Sequence, residues 1–344
     1  MAYRLKTLSP VHIHSGESIK SINYMVIDNE VLIFNEDDVI KSVKQQELLN
    51  DELLRGFATS STRRKEYNKT LDYYINKGII EQSIVDKCKV KGRNNVEDLS
   101  GQEINRAMLN LQGPYVPGST IKGVVRTAIL YDYLLDRGIG YIKKAIKFLY
   151  SGYGRKFTID DYILYDGDTG RINKDIYKDP FKFLSIKDVN MLEKEMEYYE
   201  EFIFNVTNFI PGNVIETIKI GNYSEEFDFS VVPQEKLFPM YNEEIIAYFK
   251  EEELLRVLYQ YSKDIIDDEI EYFKKNKFPL FNSKEVIESL QEIKTINSKE
   301  SPVLRLGKGK GYKSNTVALA IKKLDKDYYM REINRIAKPP KYNK

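Results

Sequence analysis

Between Tyr115 and Thr127 the chain reads Tyr-Val-Pro-Gly-Ser-Thr-Ile-Lys-Gly-Val-Val-Arg-Thr, and the Pro117-Gly118 pair forces one element to end and another to begin. Ser119 or Thr120 can cap the new helix by accepting a backbone N–H bond. Ile121, Val125, Ala128 and Leu135 then share one apolar side, while Lys122 and Arg126, four residues apart, line another. Free amides and a partial positive charge at a helix start suit phosphate. Gly123 lowers helix stability by about 1 kcal/mol against alanine, which suggests a close approach by another backbone, with RNA as one candidate. An ordinary capped helix with solvated cations remains the competing reading. A Walker loop is excluded, because Val124 and Val125 follow Gly123 where Lys and Ser/Thr would be required.

Composition narrows what else the chain can be. With 344 residues, 42% hydrophobic and 31% charged, it can fill two globular cores. The lone Cys88 excludes an internal disulfide, and with only His12 and His14 no familiar zinc spacing exists, so no metal or cofactor is expected. No apolar signal core and no run of about 18 apolar residues occurs, which fits a cytoplasmic protein without membrane contact.

A net charge of +1 excludes a generally basic coat for nucleic acid, yet the charge is segregated. Between Ser301 and Leu324 no acid occurs among Arg305, Lys308, Lys310, Lys313, Lys322 and Lys323. Acids gather at Glu193 to Glu201, Glu225 to Asp228 and Glu251 to Glu253. Such a neutral chain with local basic patches suits a defined polyanion track, with solvated faces as the alternative.

In chain order, alternation predicts a strand over Tyr3 to Leu8, then a polar turn from Ser9 to Gly16 that carries His12 and His14 on one side. Those imidazoles could meet phosphate or sugar, or bond the neighbouring loop. Tyr24 to Ile27 and Val31 to Phe34 flank Asp28-Asn29-Glu30 as a hairpin. Residues from about 36 to 112 read as a helical insertion, with Arg55, Arg63, Arg64, Lys65 and Lys69 as a basic cluster left open. Gly138 to Phe157 reads as a helix and a glycine turn, within a second insertion at about 138–178. Asp166 to Gly170 only superficially resembles a calcium loop, since Arg171 and Tyr177 stand where its glycine and glutamate belong. Asp179 to Val189 reads as a turn into a strand. Glu216 to Gly221 and Phe227 to Val232 read as a second hairpin, and Glu243 to Lys275 as helix.

Val303 to Leu306 is expected as a short strand opening into Gly307-Lys308-Gly309-Lys310-Gly311-Tyr312-Lys313, with Ser314 capping a final helix. Neither a dinucleotide fingerprint nor a Walker loop fits: the third glycine is missing, Tyr312 separates Gly311 from Lys313-Ser314, and too little chain follows. A basic loop with one aromatic remains, suited to phosphates and a stacked base.

Strand, turn and capped helix recur in both halves with antiparallel hairpins, which suits an α+β chain of two ferredoxin-like, RRM-like domains at 1–190 and 191–344 with helical insertions. Three stretches now carry a resemblance: Lys6 to Gly16 with Pro10-Val11-His12-Ile13, Tyr115 to Thr127 with Pro-Gly-Ser-x-Ile-Lys-Gly, and the terminal Gly-rich loop. They resemble the RAMP superfamily of CRISPR effector subunits, and their order and spacing look most like the fifth Csm subunits of type III-A antiviral complexes.

The resemblance implies a non-catalytic subunit that caps the filament of repeated backbone subunits near the 3′ end of the CRISPR RNA. It also implies partnership with other Csm subunits and support of CRISPR RNA maturation through recruited nucleases. RNA contacts are then expected from His12, His14, Ser119, Thr120, Lys122, Gly123, Arg126, Arg305 and the loop from Gly307 to Lys313. Backbone subunits of the family cut target RNA with an aspartate after the Pro-x-His-Ile segment, whereas Gly16 to Tyr24 here offers only Glu17. Two rivals stand beside this reading: a metal-independent RAMP endoribonuclease with His12 or His14 as general acid or base, and a protein-interaction scaffold without RNA contact.

Overall fold

The computed structural model describes residues 2–58, 69–88, 90–99, 101–165, 167–175, 178–204, 209–231, 242–276, 278, 282–307 and 316–333. In chain order the elements begin with β1 (His14–Ile19), β2 (Tyr24–Ile27), β3 (Glu30–Ile33), α1 (Glu36–Lys41), α2 (Asp51–Ala58) and α3 (Leu71–Asn76). Then come β4 (Val90–Asn94), β5 (Ile104–Ala107), β6 (Leu109–Asn110), β7 (Gly113–Val116), α4 (Gly118–Leu149) and α5 (Ile159–Leu164). The remainder is β8 (Leu184–Ile186), β9 (Val189–Asn190), β10 (Met196–Phe204), β11 (Phe209–Ile218), β12 (Phe229–Val231), α6 (Glu243–Ala247), α7 (Glu251–Lys275), α8 (Ser283–Ile296) and α9 (Thr316–Leu324). No helix among the described residues is long and apolar enough to cross a membrane.

Contacts divide the chain into two interleaved units, 2–117 with 188–226, and 118–187 with 227–344. The sequence division at 190 therefore falls within a unit. In the first unit seven strands run in the order β1-β5-β11-β10-β4-β3-β2. β10 and β11 form a long antiparallel hairpin whose outer sides pair in parallel with β4 and β5. Strands from both sides of residue 190 thus share one sheet.

The β2–β3 hairpin forms as expected, with Ile27 opposite Glu30 and both loop residues, Asp28 (φ 48°) and Asn29 (φ 67°), left-handed. That geometry matches strand twist and favours Asn and Asp. Period-2 alternation then splits the hairpin between two cores. Met25 and Leu32 pack with Ile22, Leu53, Leu71 and Tyr74 beneath the small helices. Tyr24, Val31 and Ile33 pack with Ile104, Met196 and Val214 on the other face.

Several expectations change. The segment Tyr3 to Leu8 makes no named strand: Lys6 bridges Tyr223 singly, and Thr7 exchanges bonds with Gly221 and Asn222 across a chain bent at Gly221 (φ 81°). The expected turn ending at Gly16 instead enters β1 at His14. The supposed helical insertion at 36–112 is helical only in its first part and then supplies β4 to β6. The reason is tertiary at Gly92, where a Cβ would lie 2.4 Å from the Met196 carbonyl oxygen, so close strand packing selects glycine despite its poor strand propensity.

The proposed pairing of Glu216 to Gly221 with Phe227 to Val232 also changes. β11 pairs with β10, and β12 pairs with β8. Alternation assigns faces but not partners.

The second unit is built on α4. Residues from Ala128 to Leu134 are buried all round the helix, so it is a central rather than a surface helix. β8, α7 and α9 pack on it, and Gly138 (φ 75°) interrupts it before a second helical run to Leu149. The expected helix over 243–275 is broken between Ala247 and Glu251 into α6 and α7. Val303 to Leu306 is not a strand: the Val303 amide donates to Asn297 Oδ1 at 2.9 Å and Ser262 Oγ donates to the Val303 carbonyl. Side chains satisfy that backbone where a ladder was expected.

Candidate nucleic-acid interface

The start of α4 differs from the sequence reading in one structural detail. Gly118 is the first helical residue, so Ser119 and Thr120 lie inside the first turn rather than at the cap. The close backbone approach also sits at Gly118, where a Cβ would fall 2.0 Å from the Ile186 carbonyl oxygen. Gly123 is exposed, and a Cβ there would meet nothing within 4 Å. Any group that exploits the missing side chain at Gly123 must therefore come from outside the described chain.

Lys122 and Arg126 share a face but not a role. Arg126 Nη1 lies 2.6 Å from Asp179 Oδ2, its Nε lies 3.3 Å from Asp160 Oδ2, and its guanidinium sits 4.9 Å over the Phe181 ring. Burial disfavours its charge, but the two carboxylates outweigh burial and raise its pKa. Arg126 thus ties α4 to α5 and to the turn at Asp179. Lys122 is half-buried and has no ion pair among the described residues. Burial pushes its pKa down, against the pull of Asp179 and with Arg126 adding to the push. Lys122, the first-turn amides and the open Gly123 surface lie together at a helix start that carries no acid in its first turn.

The histidines lie in the other unit, with ring centroids 5.6 Å apart, so both do face one way. His12 is only 5% exposed, and its Nδ1 is 2.7 Å from the Glu216 carbonyl oxygen, which places the Nδ1 proton in that bond. It braces the edge of β11. His14 is exposed on β1. Glu17, also on β1, lies 3.7 Å from Arg106 in an exposed ion pair.

Beneath this edge lies a group the sequence reading missed. Glu216 is 1% exposed; its carboxylate accepts from the Ala107 amide and from the Tyr198 hydroxyl, each at 3.0 Å. Burial raises its pKa, opposed by those bonds and by Arg106. Burial and the neighbouring Glu216 likewise push the Tyr198 hydroxyl far up. An acid in an alternating strand gives no sequence sign that it faces inward.

The described cations of the basic C-terminal stretch are neutralised from within. Arg305 pairs with Glu269, Lys322 with Asp268 and with Glu271 at 3.1 Å, and Lys323 with Asp264, all acids of α7. The acid-free run in sequence is thus not a free cationic track in its described part. Gly307 takes φ 77°, which favours glycine. Lys308, Gly309, Lys310, Gly311, Tyr312 and Lys313 lie outside the described residues, as do Arg63, Arg64 and Lys65 of the earlier cluster. Among the described residues no group of three or more His, Cys, Asp or Glu side chains is arranged to hold a metal.

Comparison with known proteins agrees with the architecture. The chain is 25% identical to the CRISPR-system protein Csm5 of Methanocaldococcus jannaschii over 363 aligned positions, covering 98% of this chain and 77% of that protein. The crystal structure of T. onnurineus Csm5 superposes with a TM-score of 0.70 at 18% identity, covering 93% of this chain and 94% of the other. A chain of a cryo-EM type III-A Csm–crRNA–target RNA ternary complex gives the same TM-score and identity, covering 98% of this chain and 92% of its own. The model of the RAMP superfamily matches residues 4–312, nearly the whole chain, and the protein belongs to that superfamily.

Proposed function

We propose that this protein is a non-catalytic, CRISPR RNA-binding subunit of a type III-A (Csm) antiviral complex. In this reading it caps the filament of repeated backbone subunits near the 3′ end of the guide and supports guide maturation by recruiting nucleases. The observation that carries the RNA contact is the start of α4, where Lys122 has no ion pair among the described residues and Gly123 leaves its surface open. Likeness to Csm5 over 98% of the chain supports the choice of complex. Two ferredoxin-like domains with helical insertions belong to the same proposal, without a division at residue 190.

Phosphate contacts should dominate, because one subunit must accept guides of any sequence. Ser119 and Thr120 offer first-turn amides, and Lys122 offers the charge. His14 is the exposed member of its pair, whereas His12 and Arg126 act mainly through the bonds that hold their elements. Arg305 and the loop from Gly307 to Lys313 remain proposed contacts. His12 is withdrawn from RNA by burial, with its Nδ1 proton in the bond to the Glu216 carbonyl, whereas His14 is exposed, so the ribonuclease rival rests on His14.

Labelled mature CRISPR RNA titrated with the wild-type chain and with Lys122→Ala across a salt series tests this proposal, with product length read on a gel. Uncut RNA, and a log–log salt slope shallower by about 0.7 in the variant, is the expected result for one lost single-strand phosphate contact. Shortened RNA from the wild-type chain would instead establish a ribonuclease.

A further inference from the structure

The helical run after Gly138 and the turn that follows it carry a second concentration of one chemistry. From Arg137 to Ile159 no acidic residue occurs, while Lys143, Lys144, Lys147, Arg155 and Lys156 do. Unlike the C-terminal stretch, this one keeps part of its charge outward. Lys143 pairs with Asp325 and Lys144 with Asp168, at 2.9 and 2.8 Å. Lys147, Arg155 and Lys156 are exposed, and among the described residues none of the three forms an ion pair. The acids of α5 are engaged elsewhere, Asp160 with Arg126 and Asp161 with Lys174.

Aromatic rings are interleaved with these cations. Tyr150 is 60% exposed and Tyr153 is 47% exposed. Tyr153 is anchored: its ring meets Phe148 at 5.9 Å and Phe157 at 5.6 Å, and Phe148 continues to the buried Tyr162 at 5.4 Å. Lys156 Nζ stands 4.9 Å from the Tyr153 centroid and 5.0 Å from that of Phe157. The turn is closely packed. A Cβ on Gly154 would lie 2.0 Å from the Phe148 carbonyl oxygen, and the Gly154 amide donates to Ser151 Oγ at 3.1 Å. Tyr150 follows the last helical residue, Leu149, and its amide still donates to the Ile146 carbonyl at 3.0 Å, so it comes one turn after Lys147.

We infer that the surface formed by Lys147, Tyr150, Tyr153, Arg155 and Lys156 binds single-stranded RNA, with the cations on phosphates and the tyrosine faces on unpaired bases. The inference rests on the RNA-binding reading above and adds a separate contact surface to it. Exposed aromatics distinguish it from a plain phosphate patch, because a duplex already stacks its own bases while a single strand gains by stacking on protein. Preordered rings lose little freedom on binding, which favours this use of an anchored tyrosine.

The test uses the full chain, a fluorescent 12-nucleotide oligouridylate and a duplex of the same length. Variants are Lys147→Ala/Arg155→Ala, Tyr150→Ala and Lys122→Ala, each checked for an unchanged melting temperature. The double variant should make the single-strand salt slope shallower by about 1.4. Tyr150→Ala should weaken single-strand binding about tenfold and leave duplex binding unchanged. With 4-thiouridine in the RNA, ultraviolet crosslinks should map to residues 147–157. If Lys122→Ala weakens binding while the double variant and Tyr150→Ala both match wild type, this surface is refuted and the RNA-binding reading stands. Equal loss on duplex and single strand would refute the stacking role, and a wild-type chain that binds neither RNA would overturn both readings.

Discussion

Single residues separate support from contact. His12 and His14 alternate in sequence and share a face, but burial divides them: one bonds the Glu216 carbonyl and the other meets solvent. His12→Ala should therefore lower the unfolding free energy by about 1–3 kcal/mol for a lost buried bond and the space left behind, as measured by urea unfolding. His14→Ala should leave unfolding unchanged. Glu216 gives a signed pH effect. Its folded pKa is raised above the ordinary 4.5, so the stabilisation from binding its proton is fully present below 4.5 and is lost as pH rises through the folded value. Wild-type stability relative to Glu216→Gln should accordingly fall from acidic to neutral pH, and a flat difference would remove the linkage.

At the scale of elements, the start of α4 contains two glycines with opposite duties. Gly118→Ala drives a Cβ into the Ile186 carbonyl and should cost about 1–3 kcal/mol of stability. Gly123→Ala enters open space within a helix, so it should stabilise by about 0.5–1 kcal/mol while weakening RNA binding. Melting curves beside RNA titrations read that opposition directly. The acidic face of α7 is the second device. It holds Arg305, Lys322 and Lys323, and Glu271 is pulled down to about 2, first by Lys275 and then by Lys322. That contribution is present above pH 4.5 and is lost as pH falls through about 2, the reverse of Glu216. Asp268→Asn/Glu269→Gln should release cations, raising non-specific RNA affinity at low salt in filter binding.

For the whole molecule, a net charge of +1 means that affinity for RNA must come from local surfaces. Binding should fall steeply with salt and vary little among guides of equal length and different sequence, as compared by competition titration. Sequence-selective, salt-insensitive binding would contradict the proposed role.

Short-range chemistry can be read from the order of residues alone. The β2–β3 hairpin was legible because Asp28 and Asn29 accept left-handed backbone, and the helix after Pro117 because proline and glycine punctuate the chain. Motif spacing also exposed the membership that the superfamily match over 4–312 establishes. Strand partners, the interleaving of the units along the chain and the state of each charge follow from three-dimensional packing. Alternation leaves the partner of β11 undefined, and no local pattern announces that α7 neutralises a segment dozens of residues away or that Asp160 and Asp179 capture Arg126. Such outcomes depend on distance and desolvation in space, which sequence neighbours do not control.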